Sequence, residues 1–568
     1  MANETSPLLS GKDTTYKTRD SNSSDDRITI LTSNPASAAS SIKSGAVPTT
    51  EDDIDEIVKE RLNGASFLTV LVGLWIGVIL SSLDSSIVAT IYPQIGTEFK
   101  RSNEIIWIAT SYMLSYTALQ PLYGRISDVF GRKSAMLFAS IIFFIGSFLC
   151  GAATNLWALV VARAIAGVGG GGINTMTTVI YSDLVPLRER GKYQGYANIA
   201  YAFGSVVGAP LGGFITDNFG WRYCFYINLP FLIVTIYVSS CVLTNYNLDK
   251  DSGESFSERL KKIDYAGAAT VVTAVVAFLF ATSMGGNILP WSDPLVVGCL
   301  VGSVILAIMF CFIEAKFALN PLMPWNIVSS RTPFACCMTN LCCLMSTTAV
   351  IYTTPLFFQG LLGYSSSKAG LYFLPKIGAT SVGSVLSGIY MSRTGEYRTL
   401  TIASACSLFT AMVGYCTWTP TTSNAFMLVC LLMDGFAFGA IITLTLVAML
   451  SCVGSSEMAT ITSMSYLFRS VGGVIGISAT SAIFQGSVKR ILTEKITGEN
   501  AEMYIEIARK SMNEIRELLP ADILEIVLDA YQTGLRYTFF SCAVIGFLCV
   551  ISTLYIQRFE LATKVTRK

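Results

Sequence analysis

The sequence contains no histidine, and only 14% of its 568 residues are charged. Histidine is the side chain whose ordinary pKa lies closest to neutrality, and its absence excludes histidine metal sites and Ser-His or Cys-His catalysis. If this chain carries a proton, a carboxylate is therefore the group expected to bind it. The formal net charge of +1 also excludes the strongly basic character of a nucleic-acid-binding protein.

No metal site, cofactor or enzyme activity is expected. Fifteen cysteines are present, but most fall inside apolar segments, where cysteine behaves as a small hydrophobic residue. The polar joints carry no CxxC pairs, which would indicate a zinc site or a disulfide. The glycine run 169–172 is not a phosphate-binding loop, because it lies within an apolar segment.

Long apolar segments are the main feature of the sequence. The chain is 52% hydrophobic with a mean hydropathy of +0.55, whereas soluble domains carry roughly 25% charged residues, so lipid must form part of its solvent. A bilayer core of about 30 Å requires about 20 helical residues per crossing. We predict an all-α integral membrane protein with 14 transmembrane helices. The predicted spans are 66–91, 105–123, 134–153, 156–181, 193–215, 223–243, 264–284, 294–315, 333–358, 368–392, 398–418, 425–449, 464–484 and 537–556.

Basic residues concentrate in every second short joint, as in 124–133 and 188–192, whereas the other short joints hold few. Cytosolic loops are enriched in Lys and Arg, so both termini are predicted to be cytosolic. The long joint 485–536 falls on the far side. Its spacing of apolar residues predicts an amphipathic helix at the interface.

A glycine spacing occurs twice. Gly124, Asp128 and Gly131 follow the second span, and Gly388, Ser392 and Gly395 follow the tenth with the same offsets. The repeat predicts two homologous six-helix bundles with two inserted helices. The predicted parts are a disordered tail at 1–62, an N-terminal bundle at 63–245, a linker with two extra helices at 246–330, a C-terminal bundle at 331–558 that includes the loop 485–536, and a cytosolic tail at 559–568.

The turn formed by Gly124, Asp128, Gly131, Arg132 and Lys133 resembles the loop between helices two and three of the major facilitator superfamily, a large family of secondary transporters. The two glycines permit a sharp reversal and close helix approach. Asp128 is predicted to pair with Arg132 and to hold the cytosolic helix ends together, as a gating latch. The alternative is a solvated loop that only sets topology.

Further motifs resemble the fourteen-helix drug:proton antiporter group of that superfamily. They are the segment 83–88 around Asp84, Arg163 with Gly167 (where Ala166 replaces the usual glutamine), and the joint 220–230. The fifth span resembles the group's antiporter motif, with its proline one place later than usual, and small residues there predict tight helix packing. That motif comprises Gly204, Gly208, Pro210, Gly212 and Gly213.

The variant of that motif and the segment 193–198 are most similar to fungal vacuolar basic amino-acid transporters. The resemblance implies proton-coupled antiport of lysine, arginine and histidine from the cytosol into the vacuole by alternating access. A plasma-membrane exporter of drugs or toxic organic cations is the main alternative, and a transceptor or siderophore-type carrier is a third. The expected partners are the substrate, protons and membrane lipid, and the chain is expected to be a monomer.

Three candidate site residues are ionisable and lie within the predicted spans, at similar depths counted from the far side. They are Asp84, Arg163 and Asp434. A charge in the bilayer is costly and marks a functional site by default. We predict that the three line one cavity, where Asp84 binds either a proton or the cationic substrate, Arg163 tunes it, and Asp434 supplies a second acid. Structural roles in helix packing are the alternatives for all three.

Aromatic and amide side chains in the second and fifth spans are candidates for contacts with the rest of the substrate. Tyr112, Tyr201 and Asn198 have the chemistry to stack on a guanidinium or to bind a carboxylate. Packing roles are the alternative for these three residues too.

The N-terminal tail contains Glu4, Leu8 and Leu9 in the spacing of an acidic dileucine signal, which adaptor coats read when they sort cargo to vacuoles. Chance occurrence in a long tail is the alternative. We predict that changing Leu8 and Leu9 together to Ala moves the fluorescently tagged protein from the vacuolar rim to the plasma membrane, because the adaptor loses its apolar contact. Unchanged vacuolar fluorescence would exclude the signal.

Overall fold

The computed structural model describes residues 67–99, 106–247, 256–261, 264–285, 289–317, 321–364, 366–454, 457–496, 501–510 and 519–559. The predicted dileucine signal lies outside these residues. The described part is helical throughout, apart from an isolated bridge between Gly285 and Leu289, and the all-α prediction is confirmed.

Fourteen long helices follow the order of the predicted spans within the described residues. They are α1 (Phe67–Phe99), α2 (Ile106–Phe130), α3 (Arg132–Ala152), α4 (Leu156–Leu184), α5 (Arg190–Phe219), α6 (Asn228–Cys241), α7 (Tyr265–Met284), α8 (Pro294–Lys316), α9 (Arg331–Pro355), α10 (Ser366–Thr394), α11 (Arg398–Cys416), α12 (Asn424–Leu450), α13 (Met458–Lys495) and α14 (Ala521–Leu554).

Twelve of these helical segments are long and apolar enough to cross a bilayer. The exceptions among the fourteen are α2 and α10, which have the length but carry many polar residues. Their crossing of the membrane stays a prediction. Both helices line the central cavity described below, and this accounts for their polarity.

The C-terminal part is more helical than its sequence indicated. The predicted long loop 485–536 is shorter, because α13 continues to Lys495 and α14 already begins at Ala521. Between them lies a short helix, Ala501–Lys510. This helix packs on α14, where the Tyr531 hydroxyl donates a hydrogen bond to the Ala508 carbonyl.

Two sets of six helices pack in the same pattern. In the first set α1 packs on α5, and α4 packs on both α2 and α3. In the second set α9 packs on α13, and α12 packs on both α10 and α11. The sets meet through α5 with α10 and through α2 with α13, as expected for halves related by an approximate two-fold axis. The inserted helix α7 pairs with α8 and also contacts α2 and α13.

The glycines at the ends of the repeated turns both have a positive φ. Gly131 ends α2 with φ 96° and Gly395 ends α10 with φ 69°. Side chains with a Cβ rarely adopt this left-handed region, so both turns require glycine. The spacing seen in the sequence thus reflects equivalent turns in the two halves.

The two halves are held together at the end that contains these turns, which we call the closed end. Arg188 donates to the carbonyl of Arg393 at 2.5 Å, and the Ser392 hydroxyl donates to Glu189 at 2.8 Å. Gly388 of α10 lies so close to α5 that a Cβ there would stand 2.3 Å from the Gly191 carbonyl oxygen. The charge bias of the joints predicts that this end faces the cytosol.

We expect Gly388→Ala to destabilise the protein by about 1–3 kcal/mol, because the added methyl group meets backbone that cannot rotate away. Thermal unfolding of the purified protein measures this. The matched control is Gly378→Ala on the same helix, where a Cβ meets no atom within 4 Å. Equal stability of the two variants would contradict the close contact between α5 and α10.

Candidate functional site

A cavity of about 650 Å³ lies between the two bundles. On α2 its lining runs from Gln120 to Ala109, mostly in the half of that helix away from the closed end, whereas on α5 it runs from Gln194 to Ser205, in the half nearer to the closed end. Three basic residues line it, and the lining residues that the structure describes include no Asp or Glu. These basic residues are Arg163, Lys376 and Arg469.

Arg163 of α4 pairs with Asp84 of α1 in the interior of the first bundle. Its Nη1 lies 2.5 Å from the Asp84 carboxylate, and both residues are 1% exposed. The Arg163 guanidinium lies over the ring of Tyr112, 4.1 Å from its centroid, and Asn228 donates to Asp84 at 3.4 Å. The predicted proximity of Arg163 to Asp84 is thus observed.

Lys376 of α10 forms the corresponding pair in the second bundle. Its Nζ lies 2.6 Å from the Asp434 carboxylate on α12, with exposures of 3% and 0%. The Tyr415 hydroxyl donates to the same carboxylate at 3.0 Å, and Thr347 donates to it at 3.5 Å. A counter-charge and hydrogen bonds offset the cost of burying a charge, and this site supplies both.

The prediction that Asp84, Arg163 and Asp434 line one cavity is therefore correct for Arg163 alone. Asp84 and Asp434 do not line it, because each carboxylate lies behind its basic partner. The depth count was also wrong for Asp84, since α1 continues to Phe99.

The predicted Tyr112, Tyr201 and Asn198 all line the cavity. Tyr201 presents its ring to the open space, whereas Tyr112 is mostly covered by Arg163. The Asn198 amide donates to Ser384 of α10 at 2.7 Å and thereby bridges the two bundles at the closed side of the cavity.

The predicted Asp128–Arg132 pair is present at the closed end, with 2.7 Å between the charged atoms. Arg132 also binds Asp183 of α4 at 2.7 Å. Thr460 of α13 donates to Asp128 at 3.5 Å, so the loop touches the second bundle. Gly124 packs on α13, where a Cβ would stand 2.5 Å from the Ala459 carbonyl oxygen. Lys133, the last residue of the predicted loop, is half-buried.

The residues of the antiporter motif in α5 lie on different faces of the helix, some packed closely and others not. Gly204 and Gly208 pack closely on α1 near Asp84, where a Cβ would meet the Ile79 carbonyl oxygen at 2.4 Å and the Leu83 carbonyl oxygen at 2.9 Å. Gly212 is buried. The prediction of tight packing is wrong for Gly213, where a Cβ meets no atom within 4 Å, and Pro210 is exposed.

Two residues of the site were missed in the sequence, Lys376 and Arg469. Both stand inside predicted spans, 368–392 and 464–484, so the rule that singled out Asp84 applies to them equally. Lys376 stands 264 residues after Tyr112, the same separation as Gly388 from Gly124. The repeat therefore pairs Lys376 of the second half with Tyr112 of the first.

Comparison with known proteins identifies the family. The pattern of the Major Facilitator Superfamily matches residues 74–477, which is more than half of the chain. The chain belongs to the major facilitator superfamily. It is a transporter rather than an enzyme, and the resemblance seen in the motifs is confirmed.

Relatives in this superfamily carry two kinds of name. The chain is 38% identical over 504 residues to "Multidrug resistance protein fnx1" of Schizosaccharomyces pombe, covering 88% of this chain and 94% of that protein. It is 34% identical over 562 residues to "Vacuolar membrane amino acid uptake transporter fnx2" of the same organism, covering 98% and 95%. It is 30% identical over 471 residues to "Vacuolar basic amino acid transporter 2" of Saccharomyces cerevisiae, covering 81% and 99%.

Among solved structures, the chain is similar to the proton:xylose symporter XylE, with a TM-score of 0.55 and 14% identity, covering 88% of this chain and 96% of that one. At this identity the similarity concerns the fold alone, two packed helical bundles with a cavity between them.

We expect Lys376→Met or Asp434→Asn to destabilise this transporter by about 3–5 kcal/mol, because each leaves one buried polar group without its partner. The double variant should recover most of that loss, since it removes both charges. Thermal unfolding in detergent gives the coupling energy. The exposed pair Lys495–Asp529, at 2.5 Å, is the matched control, and the same changes there should alter stability little. Additive losses at Lys376 and Asp434 would contradict a coupled buried pair.

Proposed function

We propose that this chain is a proton-coupled antiporter that moves basic amino acids from the cytosol into the vacuole by alternating access. The observation that carries the proposal is the cavity between the two bundles, with a buried carboxylate behind a basic side chain on each side. The names of two relatives, an amino-acid uptake transporter and a basic amino-acid transporter of the vacuole, support this substrate and this membrane.

Each carboxylate of the proposed site is occupied by an internal cation. The Lys376 ammonium holds Asp434, and the Arg163 guanidinium holds Asp84. A substrate cation therefore reaches a carboxylate only when the internal cation moves aside. A proton on the carboxylate releases the same internal cation, so proton and substrate compete for one position, as exchange requires.

Closure at one end determines which solution the cavity meets. The contacts of Arg188, Glu189 and Gly388 join the bundles at the closed end. With that end toward the cytosol, as the basic joints predict, the cavity opens toward the vacuolar lumen. In this state the transporter would release a basic amino acid and collect protons from the acidic side.

The latch at the closed end would regulate the opposite state. Asp128 contacts Arg132 within its own bundle and Thr460 across the interface. Separation of the bundles at this end breaks the contact with Thr460 while the Asp128–Arg132 pair stays within the first bundle. The loop would thereby act as a gate toward the cytosol.

A second candidate function is export of organic cations across the plasma membrane. It is supported by the relative named a multidrug resistance protein and by the apolar part of the cavity lining, which includes Met113, Ile351 and Phe438. Under this alternative the same carboxylates exchange protons against a lipophilic cation. Location of the tagged protein and uptake of lysine separate the two candidates.

We expect Asp84→Asn and Asp434→Asn each to reduce ATP-energised lysine uptake into vacuolar membrane vesicles at least about tenfold, because the amide cannot exchange a proton. The control is Asp217→Asn, an exposed residue of α5 outside the cavity, with protein amounts matched by immunoblot. Uptake that persists in both the Asp84→Asn and the Asp434→Asn variant would refute the carboxylate mechanism.

A further inference from the structure

The cavity holds one more cation than its two ion pairs neutralise. Asp84 balances Arg163 and Asp434 balances Lys376. Arg469 of α13 has no carboxylate within 4.0 Å among the described residues, although it is only 7% exposed. Retaining an unbalanced guanidinium at membrane depth is costly, so the third cation calls for an explanation outside the two pairs.

The contacts of Arg469 leave part of its guanidinium available. Its Nε donates to the Asn340 side chain at 3.3 Å, and its Nη2 donates to the Ile442 carbonyl. Both acceptors are neutral oxygens, and they fix the plane of the guanidinium between α9 and α12. Nη1 has no acceptor among the described residues, and Arg469 lines the cavity. A guanidinium held in this way presents donors to an incoming anion.

From this unbalanced and oriented cation we infer that Arg469 forms a carboxylate-binding subsite for the ligand of the cavity. The inference deepens the proposed function, on which it rests for the identity of the substrate, because it assigns the α-carboxylate of a basic amino acid to Arg469. The side-chain cation of the same molecule is left for the carboxylates of Asp84 or Asp434.

The two charged partners lie at separate positions along α12. Ile442, whose carbonyl holds Arg469, stands eight residues after Asp434 on α12, a rise of about 12 Å. Lysine and arginine carry a carboxylate and a side-chain cation at opposite ends of a flexible chain. Polar side chains line the space around Arg469, and the Tyr466 hydroxyl bonds to Thr178 there at 2.8 Å.

The ligand itself supplies the sharpest test. Cadaverine is lysine without its carboxylate, and agmatine is arginine without its carboxylate. In vacuolar membrane vesicles that contain the full chain, cadaverine should compete with labelled lysine roughly ten- to hundredfold more weakly than unlabelled lysine, the factor expected for one charge-assisted contact. Equal competition would overturn the subsite while leaving lysine transport, and hence the proposed function, intact.

Variants then locate the contact. Arg469→Gln should raise the KM for lysine and reduce the discrimination against cadaverine to about one, whereas Arg469→Lys should retain part of it. The matched control, Arg490→Gln, lies on the same helix in an exposed pair with Glu494 and should retain full discrimination. Discrimination that persists in Arg469→Gln would overturn the assignment. A merely structural Arg469 would lower the transport rate without changing the ratio.

A binding measurement keeps the inference testable if the vesicles show no lysine uptake, the result that would refute the proposed function. Arginine should then raise the Tm of the purified wild-type protein more than agmatine does at the same concentration, and Arg469→Gln should remove that difference. Equal Tm shifts with arginine and agmatine in the wild-type protein would overturn the subsite.

Discussion

The cost of placing charge inside a membrane controls this structure. Five charged side chains converge around the central cavity, and four of them form two pairs, Arg163 with Asp84 and Lys376 with Asp434. Each pair joins two helices of one bundle, and the second also receives hydroxyl hydrogen bonds. Such pairs contribute little net stability compared with apolar packing, but each one links two helices of its bundle in one arrangement.

The rest of the architecture places these pairs beside water. Close contacts between α5 and α10 and between α2 and α13 join the bundles at the closed end, and the cavity lies between the two bundles. The glycines at the two equivalent turns and at the α5–α10 contact permit this approach. Because the same helix pairs recur in both halves, the proposed alternating access would exchange one set of contacts for its counterpart through a rocking motion about the cavity.

The charges of the residues that line the cavity do not by themselves indicate the class of substrate. A cavity lined by three basic side chains looks unsuited to a basic amino acid until the carboxylates behind Arg163 and Lys376 are taken into account. The internal cations then occupy the positions at which a substrate cation would bind. In the proposed site the third cation, Arg469, would bind the carboxylate of the substrate, and organic cations without a carboxylate would not use it.

Much of this protein follows from its sequence by itself. Hydropathy determines the helices, since about 20 apolar residues in lipid must satisfy their backbone hydrogen bonds internally. The glycine spacing around Gly131 and Gly395 reveals the two halves, because each turn requires a left-handed residue. Proximity of Asp84 to Arg163 was also predictable, because an unpaired charge at that depth is costly and two opposite charges stabilise each other. Tertiary structure alone decided that Asp434 pairs with Lys376 and that both acids lie behind their partners. Within the described residues, it also decided that a Cβ at Gly213 would meet no atom within 4 Å and that Arg469 lacks a carboxylate partner. These facts depend on which face each helix turns toward its neighbours, and a strongly apolar helix carries almost no periodicity from which that rotation can be read.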